Sequence, residues 1–342
     1  MFKKFGIFLL VFILVLSVTA CGEKAAEEPA GEEAPAEEPV AETITLKAGI
    51  TINQDHPYYF GIERFGEIVN EKTDGRITVE IYHSGQLGGE RDLIEGLRMG
   101  SVDMAAVSSA PVSSFVPKIA VFDLPYLFTS REMAYKVMDG PVGEMFFEEL
   151  AAQKIKGLGW FENGFRDITN NKRPIYTPED LKGIKIRVME SPVPIATFNV
   201  AGANPTPMAW GEVFTALQQG TIDAQENPLP VIYTQKLYEV QKYLSLTDHF
   251  YAPALFIMSG DLFNSLSAED QALFMEAAAE ATAYEREVSL QQAEDYVDLC
   301  IEEGMEVNEV DKSLFVEAMA PVYEQFEKEL GKDLIDEIMN TK

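Results

Sequence analysis

A nine-residue phrase occurs twice in this chain, and its recurrence limits the folds open to it. Leu97-Arg98-Met99-Gly100-Ser101-Val102-Asp103-Met104-Ala105 is answered by Leu217-Gln218-Gln219-Gly220-Thr221-Ile222-Asp223-Ala224-Gln225. In each copy a helix runs into a glycine suited to the left-handed cap, and a strand is expected to begin two residues later. One copy in each half predicts two lobes of similar construction, with strand ends facing a shared crevice. Ser108 and Asn227 follow these strands, so both are expected to look into it.

The surrounding text alternates strand and helix. Thr45 to Ile50 reads as a strand, and Pro57 to Glu71 as an amphipathic helix with Phe60, Ile62, Phe65 and Ile68 inward. Ile77 to Tyr82 is the next strand, Leu93 to Met99 a helix and Val102 to Val107 a buried strand. Such alternation predicts an α/β fold with parallel sheets and helices on both faces. Further on, Ile155 to Glu162 reads as a strand that ends before Asn163-Gly164-Phe165-Arg166. The capping box Thr177-Pro178-Glu179-Asp180 leads into Gly183 to Val188, where period two sends Ile184, Ile186 and Val188 inward and Lys185 and Arg187 away from the core. A helix is expected from near Trp210 to Gln219, and Tyr233 to Leu246 continues helix into strand. Ser267-Ala268-Glu269-Asp270 caps a helix that meets no Gly or Pro before about Glu303. Unbroken, it is about 50 Å long and can lie along both lobes as a spine; two helices with an unmarked break is the alternative.

The N-terminus is a targeting segment. Lys3 and Lys4 precede an apolar run from Ile7 to Leu16, too short to span a hydrocarbon layer of roughly 30 Å. Residues 1–20 thus read as a signal peptide. Val18-Thr19-Ala20-Cys21-Gly22 resembles the lipobox of bacterial lipoproteins, which implies cleavage before Cys21 and a lipid on its sulfur that holds the protein to the membrane. Residues 21–43 follow as the lipidated cysteine and an acidic tether, expected to be disordered because it is built almost entirely of Glu, Ala, Pro and Gly. With 56 acidic against 27 basic residues, nucleic acid is excluded as a partner of a basic surface. If Cys21 is lipidated, Cys300 is alone, and its helical neighbours Val297 and Ile301 predict a buried, inert thiol.

Searches for chemistry return little. There is no Gly-x-Ser-x-Gly, His-Glu-x-x-His, phosphate-binding glycine loop or Cys-x-x-Cys, and His56, His83 and His249 share no ligand-like spacing. No catalytic residue, metal or cofactor is expected. What remains is a recognition set. Arg166 and Arg187 are one helix–strand unit apart, and if both strand ends face the crevice their guanidiniums converge on a point suited to a carboxylate. Asn227 and Gln225 add amides and Trp210 a flat apolar wall. By spacing alone, core packing for Trp210 and a turn role for Asn227 before Pro228 stay open.

A series of ordered motifs resembles a known family. They are Gly85-Gln86-Leu87-Gly88-Gly89-Glu90-Arg91, Phe122-Asp123-Leu124-Pro125-Tyr126-Leu127-Phe128, Asn163-Gly164-Phe165-Arg166 and Asp180-Leu181-Lys182-Gly183-Ile184-Lys185-Ile186-Arg187. Pro205-Thr206-Pro207-Met208, Glu212-Val213-Phe214-Thr215-Ala216-Leu217-Gln218, Gln225-Glu226-Asn227-Pro228 and Tyr238-Glu239-Val240-Gln241-Lys242-Tyr243 continue the set. Over residues 44–340 the chain resembles the DctP family, the solute-binding proteins of tripartite ATP-independent periplasmic (TRAP) transporters. The resemblance implies a two-lobed periplasmic-binding-protein-like fold with a ligand cleft between the lobes and a long connecting helix. It implies lobes of about 44–163 plus 253–290 and 164–252 plus 291–342. It gives Arg187 the pairing with a substrate carboxylate, Arg166 an assisting role, Asn227 a contact to the same carboxylate and Trp210 an aromatic position that packs on the ligand. Glu90, Thr51 and Ser108 fall at first-lobe positions that vary with ligand. Ser108 stands where a sialic-acid binder carries glutamate, which counts against that ligand, and only Arg91 is a nearby cation for a second carboxylate, so the C4-dicarboxylate label is a family default and not a deduction from these residues. The implied function is an extracytoplasmic, lipid-anchored receptor that delivers a small organic acid to the membrane subunits of a TRAP permease, not an enzyme. A sensory lipoprotein and a secreted enzyme acting on a carboxylate are the alternatives.

Overall fold

The computed structural model describes residues 43–341. The expected signal peptide, the lipidation site Cys21 and the acidic tether up to residue 42 lie outside the described residues.

Nine strands form one mixed sheet: β1 (Ile44–Gly49), β2 (Ile77–Tyr82), β3 (Met104–Ser108), β4 (Ile155–Asn170), β5 (Lys185–Val188), β6 (Asn204–Pro207), β7 (Ala224–Pro228), β8 (Tyr243–Ser259) and β9 (Glu306–Glu309). Their order is β2-β1-β3-β8-β4-β7-β5-β6, with β9 on β8. Read inward from either end, the construction is the same. Three short parallel strands, β2-β1-β3 or β6-β5-β7, meet one long antiparallel strand, β8 or β4. The all-parallel expectation therefore holds only within each trio, because the chain crosses between the halves on two long strands paired antiparallel to one another.

The repeated phrase accounts for the matching trios. Gly100 and Gly220 take φ of 75° and 69°, left-handed caps that admit glycine without steric cost. The strands begin four residues after the glycine, at Met104 and Ala224, rather than two. The aspartate of the phrase fills the gap. Asp103 donates its N–H to Lys47 O at 3.1 Å and accepts the Lys47 N–H on Oδ2 at 2.8 Å. Asp223 does the same with Lys185, at 2.8 and 3.1 Å. Each aspartate clips its incoming strand to the parallel neighbour.

Two expected boundaries differ. The strand expected to stop at Glu162 continues through Asn163 and Arg166 to Asn170, because Gly164 takes φ 116° and the β4–β8 register shifts at Glu162/Gly164 and Arg166/Ile168. On β8, the strand runs on to Ser259. The first part of β4 pairs beside β3, and its last residues pair beside β7.

Helices cover the sheet. On Pro57–Lys72 the buried stripe is Tyr58, Ile62, Phe65 and Val69. Phe60 is only half-buried, since it lies off that stripe. The long helix is unbroken over Ala268–Glu302, capped by Ser267 Oγ on the Asp270 N–H. Its Phe274, Ala277, Ala278 and Ala281 pack with Leu46, Phe65 and Phe256 in the first half. Its Cys300 packs with Val213, Leu217 and Leu237 in the second, so the helix is a spine to both. Burial pushes the Cys300 thiol up to about 12, which keeps it protonated and inert. The helix Lys312–Leu330 also spans the halves. Phe315 and Met319 pack with Ile186 and Val188, while Val322, Phe326 and Leu330 pack with Leu93, Phe122 and Phe146. Residues 291–342 are therefore shared between the two packing groups.

Candidate ligand site

The trios leave their strand ends around one crevice beside the middle of β4. Thr51 lies just past β1, Ser108 ends β3, Met189 follows β5, and Asn227 is one residue from the end of β7. Together with Glu90, Arg166, Arg187 and Trp210 they line one narrow cleft between the strand ends. The seven residues that the resemblance places at the site line this one cavity, while Gln225, singled out beside Asn227, does not. His56, Tyr58 and Asn163 line it too.

One wall is cationic. Arg187, on β5, is 5% exposed, so it faces the cavity rather than solvent. Its Nε donates to Met208 O at 2.9 Å and its guanidinium lies 5.6 Å from the centre of the Trp210 ring. Among the described residues its terminal nitrogens have no hydrogen-bond acceptor. Burial pulls its pKa down to about 10, with Arg166 adding to the fall and Glu226 and Glu90 opposing it. Arg166 is mid-strand on β4, not at a strand end, and is fully buried. Its Nε donates to Glu226 Oε2 at 2.5 Å and its Nη2 to Glu226 Oε1 at 3.0 Å and Glu226 O at 2.6 Å. Its Nη1 is buried with no partner. The Asn227 amide donates one N–H to Gln225 Oε1 at 2.5 Å and keeps a second N–H uncommitted. Gln225 in turn donates to Thr169, and Thr169 to Gln241, which fixes the amide from behind.

Glu226 escaped the sequence reading although it lies inside a quoted motif. Its strand neighbours Gln225 and Asn227 drew attention, and its pairing with Arg166 crosses strands 60 residues apart. Burial alone would raise its carboxyl, but Arg166 and His249 outweigh that and hold it down at about 2. His249 Nε2 lies 3.3 Å from Glu226 Oε2, and burial keeps the ring below its ordinary pKa.

The opposite wall is uncharged or anionic. Glu90 begins the helix Glu90–Met99, and its Oε1 accepts the Ser108 N–H at 2.6 Å. Burial raises its pKa, while the Ser108 N–H and the two arginines oppose the rise. Asn163 donates its Nδ2 to Ser108 Oγ at 3.3 Å, and its Oδ1 is buried without a partner. His56 caps the helix Pro57–Lys72 by accepting the Tyr58 N–H on Nδ1 at 3.3 Å. Its Nε2 and the Tyr58 hydroxyl are likewise buried without partners, and burial drops the His56 pKa to about 3. Arg91 does not reach the cavity; it pairs with Glu95 at 3.7 Å and lies 5.9 Å from the Phe115 ring centre.

A larger opening lies on the other side of Asn163, between Phe165, Pro228 and the long helix. Its two lining cations are already paired, Arg131 with Glu162 and Lys312 with Asp248, so it has no cation to offer an acid. Among the described residues no group of three or more His, Cys, Asp or Glu is placed to hold a metal.

A family model described as DctP, bacterial extracellular solute-binding protein, family 7, matches residues 48–329. A solute-binding protein of Verminephrobacter eiseniae is 41% identical over 303 residues, covering 88% of this chain and 90% of its own. A TRAP periplasmic solute-binding protein from Polaromonas sp. JS666, bound to D-erythronate, superposes with a TM-score of 0.86 at 42% identity over 88% of this chain and 99% of its own. Another, from Sulfurospirillum deleyianum with bound succinate, gives a TM-score of 0.85 at 33% identity over 88% and 100%. This chain, with two lobes around a polar cleft, therefore belongs to the DctP family of extracellular solute-binding proteins, which are binding proteins and not enzymes.

Proposed function

We propose that the protein is the extracytoplasmic receptor of a TRAP transporter, capturing a small organic acid between its lobes and delivering it to the membrane subunits of the permease. The observation that carries this reading is the cationic wall, where Arg187 has uncommitted terminal nitrogens and Arg166 an unpaired buried Nη1. Buried donors of this kind are costly unless a ligand takes them up, and a carboxylate does so with charge-assisted bonds. In this reading Arg187 grips the carboxylate, Arg166 and Asn227 assist, Trp210 packs on the ligand, and Glu90, Ser108 and Thr51 face its far end. The acids held by the Polaromonas and Sulfurospirillum proteins, D-erythronate and succinate, support the class of ligand.

The lobes are taken as 44–163 plus about 253–290 and 164–252 plus about 291–342, with part of the C-terminal segment packing back on the first. Closure then bends β4 and β8 near their shared bulges, and an acid favours the closed state by touching both walls. A signal peptide, a lipid on Cys21 and a tether of residues 21–43 complete the receptor at the membrane. A thermal-shift screen over mono- and dicarboxylates, sugar acids and amino-acid derivatives tests the assignment. At least one acid should raise Tm through preferential binding to the folded state and be recovered chemically unchanged. No shift with any acid, or turnover of the bound acid, would refute it.

A further inference from the structure

We propose that the cleft selects hydroxylated monocarboxylates over dicarboxylates, and that Glu90 is the residue that decides. This rests on the receptor reading above, with the acid's carboxylate at Arg187, and it concerns the ligand's other end.

The far wall can be read as an inventory of donors and acceptors. Glu90 is held with Oε1 on the Ser108 N–H, and a carboxylate so held presents only acceptors to the cavity it lines. Asn163, 3% exposed, spends one N–H of its Nδ2 on Ser108 Oγ, keeps the other, and has Oδ1, an acceptor without a partner, while the unpartnered Tyr58 hydroxyl can donate or accept. His56 is fully buried, and because its Nδ1 accepts the Tyr58 N–H, its ring hydrogen sits on Nε2, a donor without a partner. The wall therefore needs ligand groups that donate to Glu90 and Asn163 and also accept from His56. An alcohol hydroxyl does both. A second carboxylate brings no hydrogen for either acceptor and sets a like charge against Glu90 in a closed space. The cation that would offset that charge is missing, since Arg91 is turned to Glu95 outside the cavity. An ammonium group satisfies the two acceptors but meets the His56 N–H with nothing to accept it.

Calorimetric titration of the purified protein with D-erythronate, galactonate, succinate and 4-aminobutyrate tests this. D-erythronate and succinate both have four carbons, and erythronate carries hydroxyls on C2, C3 and C4 where succinate carries two methylenes and a second carboxylate. At least one hydroxy acid should bind about 100-fold or more tightly than succinate or 4-aminobutyrate, the scale on which sites built for a hydroxyl reject analogues that lack it. Glu90→Gln, whose amide can donate to a carboxylate, should narrow the preference over succinate about 10-fold or more. Succinate or 4-aminobutyrate bound as tightly as the hydroxy acids overturns the proposal while leaving the receptor reading intact. So does an unchanged preference in a Glu90→Gln protein that unfolds cooperatively. Should that variant fail to fold, the wild-type comparison decides alone. No heat with any acid, in this titration or with the wider screen, removes the receptor reading and this inference together.

Discussion

Replacing Arg187 with methionine should move stability and binding in opposite directions. Burial lowers the guanidinium from 12.5 to about 10. At 1.36 kcal/mol per unit, holding that charge inside the ligand-free protein costs about 3 kcal/mol. Because this is a base with a lowered folded pKa, the cost is fully present at pH 7 and fades only as pH rises past about 10. Methionine removes it, at the loss of the bond to Met208 O, about 1 kcal/mol, and of the contact with Trp210, about 1 kcal/mol. The ligand-free variant should therefore gain about 1 kcal/mol in urea unfolding at pH 7. Binding should fall steeply. Two charge-assisted bonds from the uncommitted nitrogens to a carboxylate contribute about 3 to 6 kcal/mol, or roughly 100-fold to 10⁴-fold in Kd. Calorimetry with the tightest acid found in the screen reads that loss. A variant that unfolds at lower urea than wild type yet binds within about threefold of it would refute the reasoning, because Arg187 would then be a structural cation and not the carboxylate grip.

Two further substitutions test the charges behind the site. Glu226→Gln leaves Arg166 buried without its counterion and should lower stability by about 3 kcal/mol at pH 7, read by urea unfolding. Since the folded carboxyl sits near 2 against an ordinary 4.5, its contribution is present above pH 4.5 and lost as pH falls through 2, so wild type and variant should converge over that window. Asp123 behaves the opposite way: burial pushes it up to about 7, against the Ser191 hydroxyl that donates to it at 2.6 Å. The folded state is thus penalised as pH rises from 3.8 to about 7, by about 4 kcal/mol in all, and Asp123→Asn, which can still accept from Ser191, should be the more stable protein at pH 8 and close to wild type at pH 4.

What the sequence discloses here is what is encoded locally. The repeated phrase is a helix cap and a strand clip within nine residues, so its meaning survives without knowledge of the fold. The long helix is legible because Ser267 marks its start and no Gly or Pro interrupts it. The extents of β4 and β8 are not, because Phe250 to Ser259 is buried on both faces and shows no period-two alternation. Asn163-Gly164 looks like a turn and is a bulged stretch of strand, which hid the acceptor on Asn163. The ion pair of Arg166 with Glu226 depends on antiparallel pairing between β4 and β7, so no local pattern announces it.

The duplication also explains why one cleft has two chemically different walls. Lys47 and Lys185 occupy the same place in the two copies, each clipped by the aspartate of its phrase. Four residues past each stands a cavity residue, Thr51 in one half and Met189 in the other. Four residues past the aspartates stand Val107 and Asn227, of which Asn227 lines the cavity, as does Ser108 beside Val107. The backbone sets the same positions around the crevice twice, while the side chains at those positions have separated. Arg187 on β5 has its counterpart at Gly49 on β1, where a side chain would meet the end of the Leu93 side chain, so an arginine at that place requires Leu93 to shift. Under the proposed function, the glycine at that place leaves the first half without a counterpart to the carboxylate grip, and the first wall is left to Glu90.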